Sequence, residues 1–401
     1  MSFTSVPQAP VDPIFGTALA YEADPAKVKI NLGVGAYRTN EGQPWVLPCV
    51  RAAEQRILQS NFNHEYLPID GLKDLQDVAA SLILGDFYKQ NPKKVVSFQS
   101  LSGTGALRLG SAFISKWMQG RIAYIPNPTW GNHKSVFSDS GLKSAEYRYF
   151  DSKTLGLNIS GMLEDLRNAP EGSIILLHAC AHNPTGVDPS MEQWKEIATV
   201  MAQKKLFPFF DCAYQGFATG SLERDRAAIE YFANEGFELL IAQSFAKNFG
   251  MYGERIGCFH VVCQPDTSEP VRSQLKLIAR AMYSNPPAHG ARVVTTVVRD
   301  PALFQEWKDN LKTMSGRIFQ VRQLLYDELK KLGTPGTWEH ILHQIGMFTY
   351  TGLSESQCER LTKEFHVYLL KSGRISMAGI NTNNVAYLAK AIHEVVVGSK
   401  L

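Results

Sequence analysis

Lys247 stands where an apolar run, Leu239-Leu240-Ile241-Ala242, gives way to a loop carrying Gly250 and Gly253. A lysine desolvated at such a point has a lowered pKa and can act as an amine nucleophile, although a single lysine is more often a solvated surface charge. A second charge ends another apolar run: Asp211 follows Phe209-Phe210. A carboxylate there is costly unless it caps a helix or meets a buried cation. Ser102-Gly103-Thr104-Gly105 follows the run Val95-Val96-Ser97-Phe98 and opens a helical pattern. Free backbone N–H groups and hydroxyls at such a junction bind phosphate, but a simple cap is the commoner use. His178, Cys180 and His182 have a spacing that invites a metal, yet no acidic or further cysteine ligand lies close by in sequence, so no metal is expected. Asn183-Pro184-Thr185-Gly186 reads as a turn that can present the Asn183 amide at the edge of a sheet.

The elements needed to position these groups are legible as alternating runs. Strand patterns cover 95–98, 121–125, 174–177, 207–210, 239–242 and 257–262, and helix patterns cover Ala106–Trp117 and Met191–Lys204. Such alternation predicts an α/β domain with a mostly parallel sheet whose site lies at the strand ends. Phe304, Trp307, Leu311, Met314, Ile318, Val321 and Leu325 form one helical stripe over roughly 300–330. That helix is expected to lead into a smaller α/β domain that recruits both chain ends. The expected division is an N-terminal arm and first part of the small domain at 1–44, a large domain at 45–313, and the rest of the small domain at 314–401.

Composition narrows the function. A net charge of +3 gives no electrostatic footprint for nucleic acid. No apolar run approaches the ~18–20 residues that span a bilayer. Met1–Pro13 has no arginine and no apolar core, so neither a transit nor a secretory peptide is expected there, and the cytoplasm is the expected location. The six cysteines contain no C-x-x-C pair and read as reduced, mostly buried thiols.

Taken together, the segments resemble the fold type I pyridoxal-phosphate aminotransferases, and among them the aspartate aminotransferases. The likeness runs from Asp12-Pro13-Ile14 to Ser372-Gly373-Arg374. It rests on Asn31-Leu-Gly-Val-Gly-Ala-Tyr-Arg38, Tyr66-Leu-Pro, Asn127-Pro-Thr-Trp-Gly-Asn-His133, His182-Asn-Pro-Thr-Gly186, Ser284-Asn-Pro-Pro287 and Gly346-Met-Phe348, all in order. The resemblance implies a large domain with a mostly parallel sheet, a smaller domain and pyridoxal 5'-phosphate as cofactor. It implies that Lys247 carries the cofactor as a Schiff base and that Asp211, backed by His133, keeps the pyridine nitrogen protonated. Tyr214 and Asn183 would hydrogen-bond the ring's 3' oxygen, and Trp130 would stack on the ring. Ser102, Gly103, Thr104, Ser244 and Arg255 would form the phosphate cup, with a guanidinium suited to grip phosphate through two donors.

For substrate, the resemblance implies that Arg374 binds the α-carboxylate and Arg280 the distal one, with Val34, Gly35 and Phe348 lining the substrate side. Arg280, Ser284 and Tyr66 would reach into a neighbouring subunit's site, making a homodimer with composite sites. The implied reaction is ping-pong transfer of an amino group from aspartate to 2-oxoglutarate. A broader enzyme that also takes aromatic amino acids shares every motif. A phosphate-ligand binding protein is disfavoured by the presence of both Lys247 and Asp211, and a lyase or decarboxylase by the Arg280–Arg374 pair. One departure stands out. Many members have a serine just before the lysine, where this chain has Ala246, so one phosphate donor is expected to be missing and cofactor affinity somewhat lower.

Overall fold

Seven segments of this chain pair into one sheet: β1 (Val95–Leu101), β2 (Ala123–Asn127), β3 (Ser144–Arg148), β4 (Ile174–His178), β5 (Phe207–Cys212), β6 (Leu239–Ser244) and β7 (Ile256–Val262). These positions come from a computed structural model that describes residues 3–398. The spatial order is β1-β7-β6-β5-β4-β2-β3. β7 runs antiparallel to both its neighbours, and the other pairs are parallel. Residues of β4, β5 and β6 are buried on both faces, which is why they read as continuous apolar runs rather than alternating ones. Ile175, Leu177, Phe210 and Ile241 pack into one core cluster, whereas Ile174, Leu176, Phe209 and Leu240 pack into another. The register pairs His178 with Asp211 and Asp211 with Ala242, so the carboxyl ends of these strands meet side by side.

Six of the strands coincide with apolar runs in the sequence, and β3 does not. Its residues Ser144, Ala145, Glu146, Tyr147 and Arg148 sit at the sheet edge, where only Tyr147 is buried, so most of its surface faces water and is polar. The helix after β1 begins at Ser102 itself and runs to Trp117. The helix Met191–Gln203 starts with a capping box, in which the Ser190 side chain and Gln193 satisfy each other's backbone N–H groups.

The chain forms two compact units, the larger comprising Pro44–Ile318 with Gln344–Gly346 and the smaller the stretch up to Gln43, Phe319–His343 and Met347 onward. The long helix Pro301–Lys331 contributes to both. The smaller unit contains two short strand pairs, Ile30–Asn31 parallel to Val367–Tyr368 and Phe348–Tyr350 antiparallel to Arg374–Ser376. Among the described residues no helix is long and apolar enough to cross a membrane, and all six cysteines are free and buried.

Candidate active site

The carboxyl ends of β4, β5 and β6 and the start of the Ser102–Trp117 helix enclose a cavity in the larger unit. Among its lining residues are Ser102, Gly103, Thr104, Trp130, Asn183, Asp211, Tyr214, Ser244, Lys247 and Arg255, so ten residues scattered between 102 and 255 converge on one space. Ser102 has a left-handed φ of 61°, which breaks the strand and starts the helix at once. The helix is preceded by Leu101, which makes no side-chain capping bond, so no cap side chain takes up the N–H groups of its first turn. That disfavours a simple cap and leaves an N-terminal dipole facing the cavity. Ser102 and Ser244 share a hydroxyl–hydroxyl hydrogen bond of 2.9 Å, and Ser244 Oγ also accepts the Ala246 N–H at 3.2 Å. Arg255 is exposed at the rim and donates to the Tyr252 carbonyl at 2.9 Å. Gly257 lies where a Cβ would come within 2.7 Å of the Ser102 carbonyl carbon, so β7 approaches the Ser102 turn as closely as glycine permits.

Lys247 sits in the cavity wall with its Nζ 5.6 Å from the centre of the Tyr214 ring. Burial lowers its pKa and the Asp211 charge opposes that shift, leaving the amine below its ordinary value. Asp211 is held below the usual carboxylate range. Burial alone would raise it, but the hydrogen bond donated by His133 outweighs the desolvation.

The support behind Asp211 forms a directional chain. The Asn183 backbone N–H donates to His178 Nδ1 at 3.3 Å, so the proton of neutral His178 is on Nε2. That N–H points at Thr129 Oγ1, 3.3 Å away, and the threonine hydroxyl then donates to His133 Nδ1 at 2.8 Å. His133 Nε2 consequently carries the proton donated to Asp211 Oδ2 at 3.0 Å. Burial lowers the pKa of His178 to about 3, consistent with its neutral place in this chain. His133, His178 and Asp211 also bring one ligand atom each within 4.8 Å of one another, the one such group among the described residues. The hydrogen bonds already engage their facing atoms, so the cluster is accounted for without an ion. Sequence spacing had suggested His178, Cys180 and His182 instead; the fold joins His178 to His133 and Asp211 from other segments. Thr129 precedes the helix Asn132–Ser138, and nothing in the sequence pairs it with His133 or His178.

Four more of the expected residues lie in the smaller unit. Arg374 is 3% exposed, donates to the Gly33 carbonyl at 2.6 Å and lies 4.2 Å from the centre of the Phe348 ring. Gly35 presses on that ring: a Cβ there would stand 2.7 Å from Phe348 Cζ. Val34 is half-buried beside it. Arg280, Ser284 and Tyr66 belong to the larger unit but do not line the cavity. Arg280 is exposed and donates to Ser284 Oγ at 2.6 Å and Asn285 Oδ1 at 3.2 Å, while Tyr66 is 87% exposed.

Residues 27–392 match the family model of aminotransferase class I and II. The chain belongs to this aminotransferase family. It is 52% identical over 397 residues to the rice (Oryza sativa subsp. japonica) cytoplasmic aspartate aminotransferase, covering 98% of each chain. The structure of the Saccharomyces cerevisiae cytoplasmic aspartate aminotransferase superposes with a TM-score of 0.96 at 46% identity, covering 99% of this chain and 98% of that one. The aromatic-amino-acid aminotransferase of Burkholderia pseudomallei, covalently bound to pyridoxal phosphate, also reaches 0.96, at 40% identity, covering 99% of this chain and 100% of that one. The aminotransferase fold thus joins relatives with different amino-acid preferences, and the substrate must be argued from side chains.

Proposed function

We propose that this aminotransferase uses pyridoxal 5'-phosphate to transfer the amino group of L-aspartate to 2-oxoglutarate, reversibly and by a ping-pong sequence. The observation that carries the reading is the meeting of Lys247, Asp211 and the uncapped helix start at Ser102 in a single cavity. The cavity's chemistry matches the cofactor at each end. N–H groups, hydroxyls and Arg255 suit a phosphate; a depressed carboxylate suits a protonated ring nitrogen; and Asn183 Oδ1 is a buried polar atom without a partner among the described residues. Side-chain amide ends are interchangeable in shape, so this amide can instead turn its N–H to a ring oxygen.

When bound, the cofactor supplies an electron-accepting ring that stabilises a carbanion at the substrate's α-carbon. Asp211 keeps a proton on the ring nitrogen, and the Thr129–His133 pair keeps Asp211 in its charged, oriented form. Lys247 Nζ, with its lowered pKa, is suited to take a proton from the α-carbon and return one. Trp130 would stack on the ring, and Tyr214 would hydrogen-bond its 3' oxygen. Arg374 is assigned the α-carboxylate and Arg280 the distal carboxylate, with Val34, Gly35 and Phe348 beside the substrate. A homodimer completes this reading. Tyr66, Arg280 and Ser284 of a second copy would finish each site, supported by the exposure of Tyr66 and of neighbouring Phe62, Leu277 and Met282. The name of the rice relative supports a cytoplasmic location.

The test is a coupled assay of aspartate with 2-oxoglutarate, with tyrosine and phenylalanine run in parallel. The expected result is a kcat/KM for aspartate well above that for either aromatic substrate. A tyrosine value equal to or above the aspartate value would replace this reading with a broad-specificity enzyme. That second reading is favoured by the likeness to the Burkholderia protein and by the exposed position of Arg280, which can swing aside. The purified holoenzyme should also be yellow, with a pH-sensitive visible band. A colourless protein that refuses added cofactor would overturn the cofactor assignment.

A further inference from the structure

We propose that Asp188, a half-buried carboxylate outside the cofactor cavity, is the positioning residue that aims the Asn183 amide into it; the proposal rests on the cofactor reading above. Asn183 follows a backbone turn that side-chain-bearing residues rarely make: Ala181 has a φ of 50°. The two N–H groups of that turn end on one carboxylate. Asp188 Oδ2 accepts from Ala181 N at 2.6 Å and Oδ1 accepts from His182 N at 2.9 Å. The loop between them is braced on every side. Thr185 Oγ1 lies 2.8 Å from His182 Nδ1, and Gly186 N donates to the His182 carbonyl at 2.7 Å. The Tyr149 ring stacks on the His182 ring at 4.0 Å while its hydroxyl donates to the Val187 carbonyl at 2.7 Å. Gly346 closes the outer side, where a Cβ would stand 2.4 Å from Ala181 Cβ.

Within this brace Asp188 alone holds both N–H groups immediately before Asn183. A carboxylate is the side chain that can do so, because it presents two acceptor oxygens and no donor. An asparagine at 188 keeps one acceptor and turns an NH2 toward the second N–H. Burial holds the carboxyl's pKa above its ordinary value, and the two backbone N–H groups that hold the turn pull against that rise. The consequence reaches the cavity through the backbone. The Asn183 N–H donates to His178 Nδ1, the first bond of the chain behind Asp211, while its side chain enters the cavity.

The experiment is a pH titration of the visible absorbance of holoenzyme, with the dissociation constant for cofactor added to apoenzyme measured in parallel. The variants are Asp188→Ala, Asp188→Asn, Asn183→Ala and Asn183→Ala/Asp188→Ala. A hydrogen bond from Asn183 competes with the titrating proton for the ring oxygen, so loosening it raises the midpoint. Asp188→Ala is expected to move the midpoint upward by about half to one pH unit, a three- to tenfold change in proton affinity, in the same direction as Asn183→Ala. The double variant should move no further than Asn183→Ala alone, and cofactor should bind several-fold more weakly to Asp188→Ala. Should Asp188→Ala fail to fold, Asp188→Asn must give a smaller shift of the same sign. An unmoved midpoint in the Asp188 variants beside a moved one in Asn183→Ala overturns the proposal, even if thermal stability falls, and so do additive shifts in the double variant. A wild type with no pH-sensitive band overturns the cofactor reading, and this assignment with it.

Discussion

The cavity around Lys247 and the surface around Arg280 are built on opposite principles. Asp211 is 12% exposed and tied through His133, Thr129 and His178 to the backbone of Asn183, so its position and protonation are set before any ligand arrives. Arg280 lies in the open on the last turn of the helix Ser268–Met282, with neutral hydroxyl and amide acceptors. Folding alone completes the first region, and in the proposed function the second is completed by a substrate carboxylate or another chain. A carbanion-stabilising device needs preorganised charges, whereas a carboxylate reader has only to be within reach.

If that contrast holds, substitutions in the two regions should separate cleanly. The largest effect is expected from Lys247→Ala, which removes the amine proposed to transfer the proton: transamination should fall by at least ~10²–10⁴ and the pH-sensitive visible band should vanish. Retention of both would break the assignment of the cavity. Next comes Asp211→Asn, for which activity should drop by roughly 10² or more. Losing a charge-assisted bond of ~1.5–3 kcal/mol should also lower the Tm of the apoenzyme by a few degrees at neutral pH. The sign of the pH dependence follows from the depressed carboxyl. Its stabilisation is present above the ordinary carboxylate pKa of ~4 and is lost as pH falls through the lower folded value. The Tm gap between wild type and Asp211→Asn should therefore close on acidification; a gap that widens would contradict the direction of the shift.

Arg280→Ala should behave differently. We expect kcat/KM for aspartate to fall about 10- to 100-fold, with Tm shifting by less than the equivalent of about 0.5 kcal/mol. Cofactor affinity should stay at the wild-type level, and a loosened cofactor would mean that the exposed region is coupled to the cavity. The smallest effect is reserved for Ala246→Ser. Ala246 is 2% exposed and its N–H is already taken by Ser244. A serine there adds one donor near the phosphate end and should tighten cofactor binding by no more than about tenfold. Titration of the two apoenzymes decides it, and looser binding in the serine form would refute the expectation of a lost donor.

Much of the larger unit was legible because its strands are buried on both faces and therefore read as unbroken apolar runs. β3 was invisible for the complementary reason, its one buried residue being too few to make a pattern. At the site, Lys247, Asp211 and the Ser102 segment were candidates from their positions at the ends of apolar runs, but each had a bland reading of comparable weight. The ordered motifs tipped the balance, and the missing capping bond at Leu101 and the convergence of all three on one cavity give the geometry for it. Thr129 and Asp188 carried no sequence signal of their own, since a threonine and an aspartate near turns are ordinary.

What the sequence determined by itself was therefore local: which segments are strands and helices, where polar groups interrupt them, and, through ordered motifs, the family. What only the tertiary structure decided was partnership. The His133–Asp211 bond joins residues 78 apart, and the metal-like trio draws on three separate segments. Protonation states followed from that chain of contacts, because a histidine's tautomer and a carboxylate's acidity depend on what lies within a few ångströms, and sequence order does not record distance.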